Sequence, residues 1–534
     1  MKILLPLLLL FIALPVVAQL NAVERSNFDF GVSVNDIWGY VAPDGTEYAL
    51  VGLDTGVAVI SLADPDVPDL IGVTSGVQSI WRDIKTYRDY AYAVSDQRDD
   101  GLTIIDLRQL PDTFAVTHVR DIVPGFNRPF LRAHNLNIDT TRGLLFTAGG
   151  DPNINAGGAL IFDLKADPLQ PTVVATGPAI YSHDVYVQDD ILYASELYEG
   201  QLAIYDTRNL DDITELGRIT TPYKFTHNAW ASGDGQTVFT TDEQANASVA
   251  AYDITDPANI ALLDEYRPLS SLNTGTIPHN VHVIDDYLSI SYYTDGLRVV
   301  DASVPENLVE VANYDTWVGP DGGFDGDWGA YPFLPSGLTL VSDRATGLYV
   351  IDVDYKRAAR VAGTVIDSVT MEPINAASVQ ILADQFNATQ SDPLGNFATG
   401  IATAGSYRLA VSAPGYLPDT IDLTLENGQT TELTIALVDP NNATTSVQVP
   451  AAPTVTATLS PNPAPGAAVL TYDLGTITAG SVRIYTATGS LVSEQRITRS
   501  AGRMDVADGY PSGVYILHLM AEGRAQQTLR LVKH

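Results

Sequence analysis

A strand of the form Gly-Leu-x-Val-Val-Asp recurs seven times in the first two-thirds of this sequence. That recurrence restricts the architecture more than any other feature. The copies run from Gly56 to Ser61, Gly101 to Asp106, Gly158 to Asp163, Gln201 to Asp206, Ser248 to Asp253, Gly296 to Asp301 and Gly347 to Asp352. Their last residues stand at 61, 106, 163, 206, 253, 301 and 352, so successive intervals are 45, 57, 43, 47, 48 and 51 residues. A period of about 40–50 residues carrying several strands marks propeller blades. A two-layer sandwich has no such period, and a β-helix has a shorter one. Each unit reads as an inner strand, a second strand, the Asp-terminated third strand, and an outer strand after an Asp-Pro turn. Asp64-Pro65, Asp167-Pro168 and Asp256-Pro257 are such turns, with proline fixing φ. The expectation is a seven-bladed β-propeller over residues 30–357; an incomplete terminal copy would make it six or eight.

The residues opening the inner strands are Asn35-Asp36, Arg82-Asp83, His134-Asn135, His183-Asp184, His227-Asn228, His279-Asn280 and Asp327-Trp328. Four of the eight histidines thus share one position in four consecutive units. The turn between the second and third strands is acidic in the same units. It carries Asp54, Asp96, Asp151, Glu196, Asp242 with Glu243, Asp295 and Asp343. In a propeller both features lie on one face, around the mouth of the central channel. The candidate ligand-binding residues are therefore His134, His183, His227, His279, Glu196, Asp242, Glu243, Asp295 and Asp343.

Two readings of this rim stand side by side. Histidine at a blade start can hydrogen-bond an acidic turn and lock the stack, a packing need that every blade shares. Alternatively, neutral imidazoles and carboxylates form a site for a divalent metal, with His134, His183, His227 and His279 as ligands. Such a metal could polarise a carbonyl or activate water. Against it, His279 and His282 have opposite parity on a strand, and a ring of residues from different blades threatens to be too wide for one ion. Trp38, Trp81, Tyr198, Trp230, Tyr292, Tyr293 and Trp328 are expected on the same face, for blade packing or sugar stacking. The Gly319–Asp327 loop is acidic but lacks the spaced ligands of an EF-hand. No nucleophile elbow, phosphate loop or dinucleotide fingerprint is present. No carboxylate pair stands out for hydrolysis.

Composition narrows the setting. At 534 residues the chain exceeds one ordinary core. A net charge of −35 disfavours nucleic acid and anionic membrane as partners. With no cysteine, disulfides, thiolate metal sites and thiol nucleophiles are excluded. Residues 1–18 read as a secretory signal peptide: Lys2, an apolar run from Ile3 to Val17, and a cleavage-like Ala18. No later segment is long enough for a spanning helix.

Beyond Lys356-Arg357 the pattern changes to short strands separated by Gly turns. The order Val361-Ala362-Gly363-Thr364-Val365, Pro373–Val379, Asp392–Phe397, Gly405–Leu409 and Gly415-Tyr416 resembles carboxypeptidase regulatory-like domains, over residues 358–438. The resemblance implies a non-catalytic spacer or binding module. Residues 439–456 are rich in Pro, Thr, Ala and Val, and read as a linker. The end carries Pro461-Asn462-Pro463, Gly489-Ser490-Leu491-Val492, Pro511-Ser512-Gly513-Val514-Tyr515 and Leu531-Val532-Lys533. Over residues 457–534 this resembles the type IX secretion sorting domain of Bacteroidetes. The repeated third strand resembles LVIVD-repeat propellers of the choice-of-anchor B type, from which no catalytic activity follows.

The expected fold is all-β: a seven-bladed β-propeller followed by two small β-sandwich domains. The expected function is that of an exported or surface-displayed binding protein. Its partners would be the type IX secretion machinery and an extracellular protein, glycan or small ligand. An extracellular hydrolase or other enzyme, with a metal or carboxylate site at the propeller mouth, is the alternative. A divalent metal is the candidate cofactor.

Overall fold

The computed structural model describes residues 19–441 except 386, and residues 455–534 except 476, 478, 487–489 and 522–523. The expected signal peptide and most of the expected linker lie outside the described residues. The chain divides into two compact units, residues 1–440 and 441–534.

In the first unit, residues 22–353 form seven four-stranded antiparallel sheets. Their first strands are Val34–Val41, Arg82–Tyr87, Asn135–Asp139, Val185–Gln188, Thr226–Ala231, Asn280–Ile284 and Asp327–Tyr331. Sheets one to six are meanders, each strand pairing the next in sequence. Sheet seven is composite. Its fourth strand is Ala22–Phe28, which pairs antiparallel with Gly347–Val353. The two ends of this region are thereby hydrogen-bonded within one sheet. The first strand of each sheet contacts the first strand of the next, and that of sheet seven contacts that of sheet one.

Local sequence explains these elements. Strands such as Leu102–Asp106 and Leu297–Asp301 are buried along almost their whole length, so they read as continuous β-branched runs rather than alternating ones. The outer strands, such as Asp69–Val73 and Thr214–Thr220, have no fully buried residue. Core side chains interleave between neighbouring sheets: Leu136 and Leu145 of sheet three pack with Tyr92 and Val94 of sheet two. Gly296 has φ +71, and a Cβ there would stand 2.4 Å from the Tyr314 carbonyl. Only glycine fits that turn.

A second layered element follows in the same unit. Ala359–Asp367 pairs with Asn396–Ile401 and, in parallel, with Thr430–Leu437. A four-stranded sheet of Thr389–Gln390, Ser378–Leu382, Gly405–Ser412 and Asp419–Leu425 covers it, closing over Val361, Val379, Ile381, Phe397, Leu409 and Ile435. This element is docked against sheet six. Arg360 pairs with the fully buried Asp301 at 3.0 Å, Asn307 Nδ2 donates to Thr399 O, and Gln385 Nε2 donates to Glu310 O.

The second unit has a three-stranded sheet, Thr456–Ser460, Ala468–Asp473 and Ala501–Val506. A four-stranded sheet of Leu491–Ile497, Gly480–Thr486, Gly513–Ala521 and Arg524–Lys533 accompanies it. Leu470, Val482, Ile484, Leu517 and Leu531 fill its core.

Candidate functional site

The four register histidines come together. Their rings stand in series, with centroid separations of 3.9 Å for His134–His183, 4.2 Å for His183–His227 and 4.7 Å for His227–His279. The series continues to Trp328, 4.7 Å from His279, and then to Trp81 at 6.3 Å. Strand register explains why Trp328, not Asp327, takes the seventh-sheet place. Thr226 pairs Asp242 and Asn228 pairs Thr241, so His227 is a bulged residue. Asp327 pairs Asp343 and Gly329 pairs Ser342, which puts Trp328 in the same bulged position.

Every one of these imidazoles has its Nδ1 engaged. His134 Nδ1 lies 3.0 Å from Asp96 Oδ1, and His183 Nδ1 lies 2.9 Å from Asp184 Oδ1. His227 Nδ1 donates to the main-chain O of His279 at 3.1 Å, and His279 Nδ1 donates to the main-chain O of Trp328. With the proton on Nδ1, a neutral imidazole turns the lone pair of Nε2 outward. Among the described residues, none hydrogen-bonds those four Nε2 atoms. His227 Nε2 stands 3.8 Å from Glu243 Oε2, beyond hydrogen-bond reach. One ligand atom each from His134, His183, Asp184 and His227 lie within 4.8 Å of one another. The same holds for His227, Glu243 and His279.

The electrostatics favour ligating forms at His183 and His279 and an ionised Asp184, and oppose a ligating form at His134. Burial, reinforced by His134 and His227, pushes His183 down to about 3. Burial and the neighbouring His227 also push His279 well below the usual range. Burial alone would raise Asp184, but the imidazoles of His227 and His183 hold it well below the carboxylate range. For His134, burial is outweighed by the hydrogen-bonded Asp96, which lifts it to about 9. A metal on His134 must therefore displace a proton.

The candidate carboxylates divide sharply. Glu243 faces the imidazoles, and the Tyr293 hydroxyl donates to its Oε1 at 2.6 Å. The others serve local structure. Glu196 accepts from Tyr205 and pairs with Arg218 at 3.0 Å. Asp242 accepts from Thr221 Oγ1 and from the Tyr223 and Phe225 amides. Asp295 accepts from Ser271 and pairs with Arg298. Asp343 accepts from Thr316 Oγ1 and the Ala345 and Thr346 amides. Asp184 was visible only as the partner of His183 in its opening pair, yet it lies inside the cluster.

Fastening of one sheet to the next falls mainly to the residue after the histidine position. Asp36 Oδ2 accepts the Ile84 amide at 2.8 Å, and Asp83 Oδ2 accepts the Leu136 amide at 3.1 Å. Asn135 Oδ1 accepts the Val185 amide at 3.0 Å, and Asn228 Oδ1 accepts the Val281 amide at 3.1 Å. Asn228 Nδ2 also donates to Asp184 Oδ2 at 3.0 Å. The Lys85 ammonium, buried beside Asp83 and 3.8 Å from Asp36, compensates the two carboxylates.

The aromatic residues separate into levels rather than sharing one rim. Trp81, Tyr293 and Trp328 surround the histidines. Trp38 and Trp230 lie three residues further along their strands, around His282 and Phe333. Tyr292 is buried and donates to Ala247 O. Tyr198 is 74% exposed and its ring lies 4.6 Å from that of Tyr181.

Family models match two stretches in the last third of the chain. Residues 360–438 match the carboxypeptidase regulatory-like domain. Residues 458–534 match the secretion system C-terminal sorting domain. No curated protein matches the sequence. A solved structure from Bacteroides uniformis, of a protein catalogued as a candidate 6-phosphogluconolactonase, is similar at 14% identity and a TM-score of 0.39. That similarity covers 51% of this chain and 82% of the other. Among the described residues, no helix is long and apolar enough to cross a membrane. The sorting domain marks the chain for export to the cell surface or extracellular space, as in Bacteroidetes, and implies engagement with the secretion machinery.

Proposed function

We propose that this chain is an exported seven-bladed β-propeller that binds a divalent transition metal at one end of its central channel, and presents it to an extracellular ligand. Removal of residues 1–18 precedes export, residues 358–438 form a docked accessory module, residues 439–456 link it to the tail, and residues 457–534 form the sorting domain. The propeller reading rests on the seven four-stranded sheets, the closed cycle of first-strand contacts, and the joining of Ala22–Phe28 to Gly347–Val353.

One observation carries the metal reading. Four imidazoles converge with every Nδ1 held by a carboxylate or a main-chain carbonyl. That second shell is the one metal-bound histidines use to fix tautomer and orientation. A set of imidazoles with one carboxylate suits zinc, manganese, iron, cobalt or nickel better than calcium or magnesium. His134 and His183 remain partly exposed, so a bound ion has an open side. The exposed Tyr198, its ring 4.6 Å from that of half-buried Tyr181, offers a stacking surface for a glycan or an aromatic side chain of a protein ligand.

Metal analysis of the purified full chain tests the reading. The His183→Ala, His227→Ala double variant should stay folded and lose a stoichiometric metal. A metal-free wild type after exposure to each of these ions would defeat it. The enzymatic alternative draws support from Glu243, a carboxylate fixed by Tyr293 beside the imidazoles, where a general base for a metal-bound water would stand.

A further inference from the structure

We infer that the centre is binuclear: one ion held by His134 and His183, with Asp184 securing the His183 Nδ1, the other by His227, His279 and Glu243. This inference rests on the metal reading above and extends it.

Reach is the first argument. Two donors on one zinc-like ion, each about 2.1 Å from it, stand no more than about 4.2 Å apart. Three ring-to-ring steps, of 3.9, 4.2 and 4.7 Å, separate His134 from His279. No set of donor atoms within 4.8 Å of one another contains both His134 and His279, so the two ends do not share an ion. The donors accordingly fall into two groups that overlap only at His227. Given its own ion, each end takes two imidazoles, Glu243 adds a carboxylate at the second, and both keep open positions for water or ligand.

The second argument is independent and concerns His227 and Glu243 alone. In its neutral form His227 spends its one proton on the His279 carbonyl, so Nε2 offers only a lone pair. Glu243 Oε2, facing it at 3.8 Å, offers only lone pairs as well. Two acceptors in a buried wall repel unless a cation sits between them. Their separation is too long for a hydrogen bond and fits the span of two ligands on one ion. Tyr293 anchors Glu243 through the other oxygen, Oε1, and so keeps Oε2 turned to His227. A second ion explains why a tyrosine from the sixth sheet holds a glutamate of the fifth.

Cobalt(II) titration of the metal-stripped full chain, read by visible absorption, tests this without any substitution. The expected endpoint is two equivalents per chain, with spin coupling between the ions in the electron paramagnetic resonance signal of the loaded protein. Glu243→Gln should reduce the endpoint to one equivalent and abolish the coupling. Tyr293→Phe should keep two equivalents but weaken the second by about 10–100-fold. An endpoint of one equivalent in the wild type, unchanged by Glu243→Gln, overturns the binuclear assignment and leaves a single-ion centre standing. An endpoint of zero overturns the metal reading itself.

Discussion

His227 donates its Nδ1 proton to the main-chain carbonyl of His279 at 3.1 Å, and the same carbonyl accepts from Thr241 Oγ1 at 2.6 Å. The carbonyl is thus satisfied twice. Removing the imidazole leaves no orphaned acceptor there. His227→Ala should therefore cost only about 1 kcal/mol in hydrogen bonding, plus the loss of packed ring area, while abolishing metal uptake at the second position. Chemical denaturation of metal-free protein alongside metal titration checks this. A large stability loss with metal binding intact would mean that the ring is a lock.

The asparagine beside it carries the opposite expectation. Asn228 satisfies the Val281 amide and donates to Asp184. Asn228→Ala would orphan the buried Val281 amide and leave Asp184 Oδ2 without its donor. The expected cost is about 2–4 kcal/mol, more than for His227→Ala. The comparison uses the same denaturation experiment on both variants.

Asp327 should be a stability liability at neutral pH. Both of its carboxylate oxygens are buried without a partner. Burial and the nearby Asp343 raise it well above the usual carboxylate range. A group raised on folding favours the native state below its unfolded value, near 3.9, and loses that advantage as pH rises toward its folded value. Asp327→Asn should leave stability little changed near pH 4 and raise it at pH 7 by about 1 kcal/mol or more. Thermal melts of wild type and variant at the two pH values test the sign. Equal differences at both would refute it.

The accessory module depends on Asp301. This residue ends the third strand of sheet six, and Arg360 reaches it from the first strand of the module. Burial opposes its ionisation, but the Arg360 hydrogen bonds hold it below the usual range. The contact is therefore intact above the ordinary carboxylate value and weakens as pH falls through the lowered one. Arg360→Ala would leave the buried carboxylate only the more distant Arg357, at 3.4 Å, as counter-ion, at a cost of about 1–3 kcal/mol. Limited proteolysis should then cut the chain between residues 353 and 359 faster than in wild type.

Much of this arrangement is legible in the residues themselves. The Asp-terminated strands announce seven units, and seven four-stranded sheets carry them. The shared place of His134, His183, His227 and His279 gives the cluster. The choice among carboxylates is not legible, and the reason is geometric. Asp242 and Glu243 are neighbours at a strand end, where successive side chains point opposite ways. Asp242 turns to Thr221 and Phe225, whereas Glu243 turns to His227. Sequence order cannot say which faces the histidines. The bulge that puts Trp328 in the histidine place is equally silent, because it depends on pairing with Ser342 and Asp343. The division of labour between His227 and Asn228 also emerges only from the contacts between sheets.

The most direct measurement is anomalous diffraction from crystals of the full chain grown with zinc, recorded on both sides of the zinc absorption edge. The account predicts density bounded by the Nε2 atoms of His134 and His183, with a second maximum between His227, His279 and Glu243. Absence of any anomalous peak within coordination distance of these side chains, at full zinc saturation of the crystal, would contradict it.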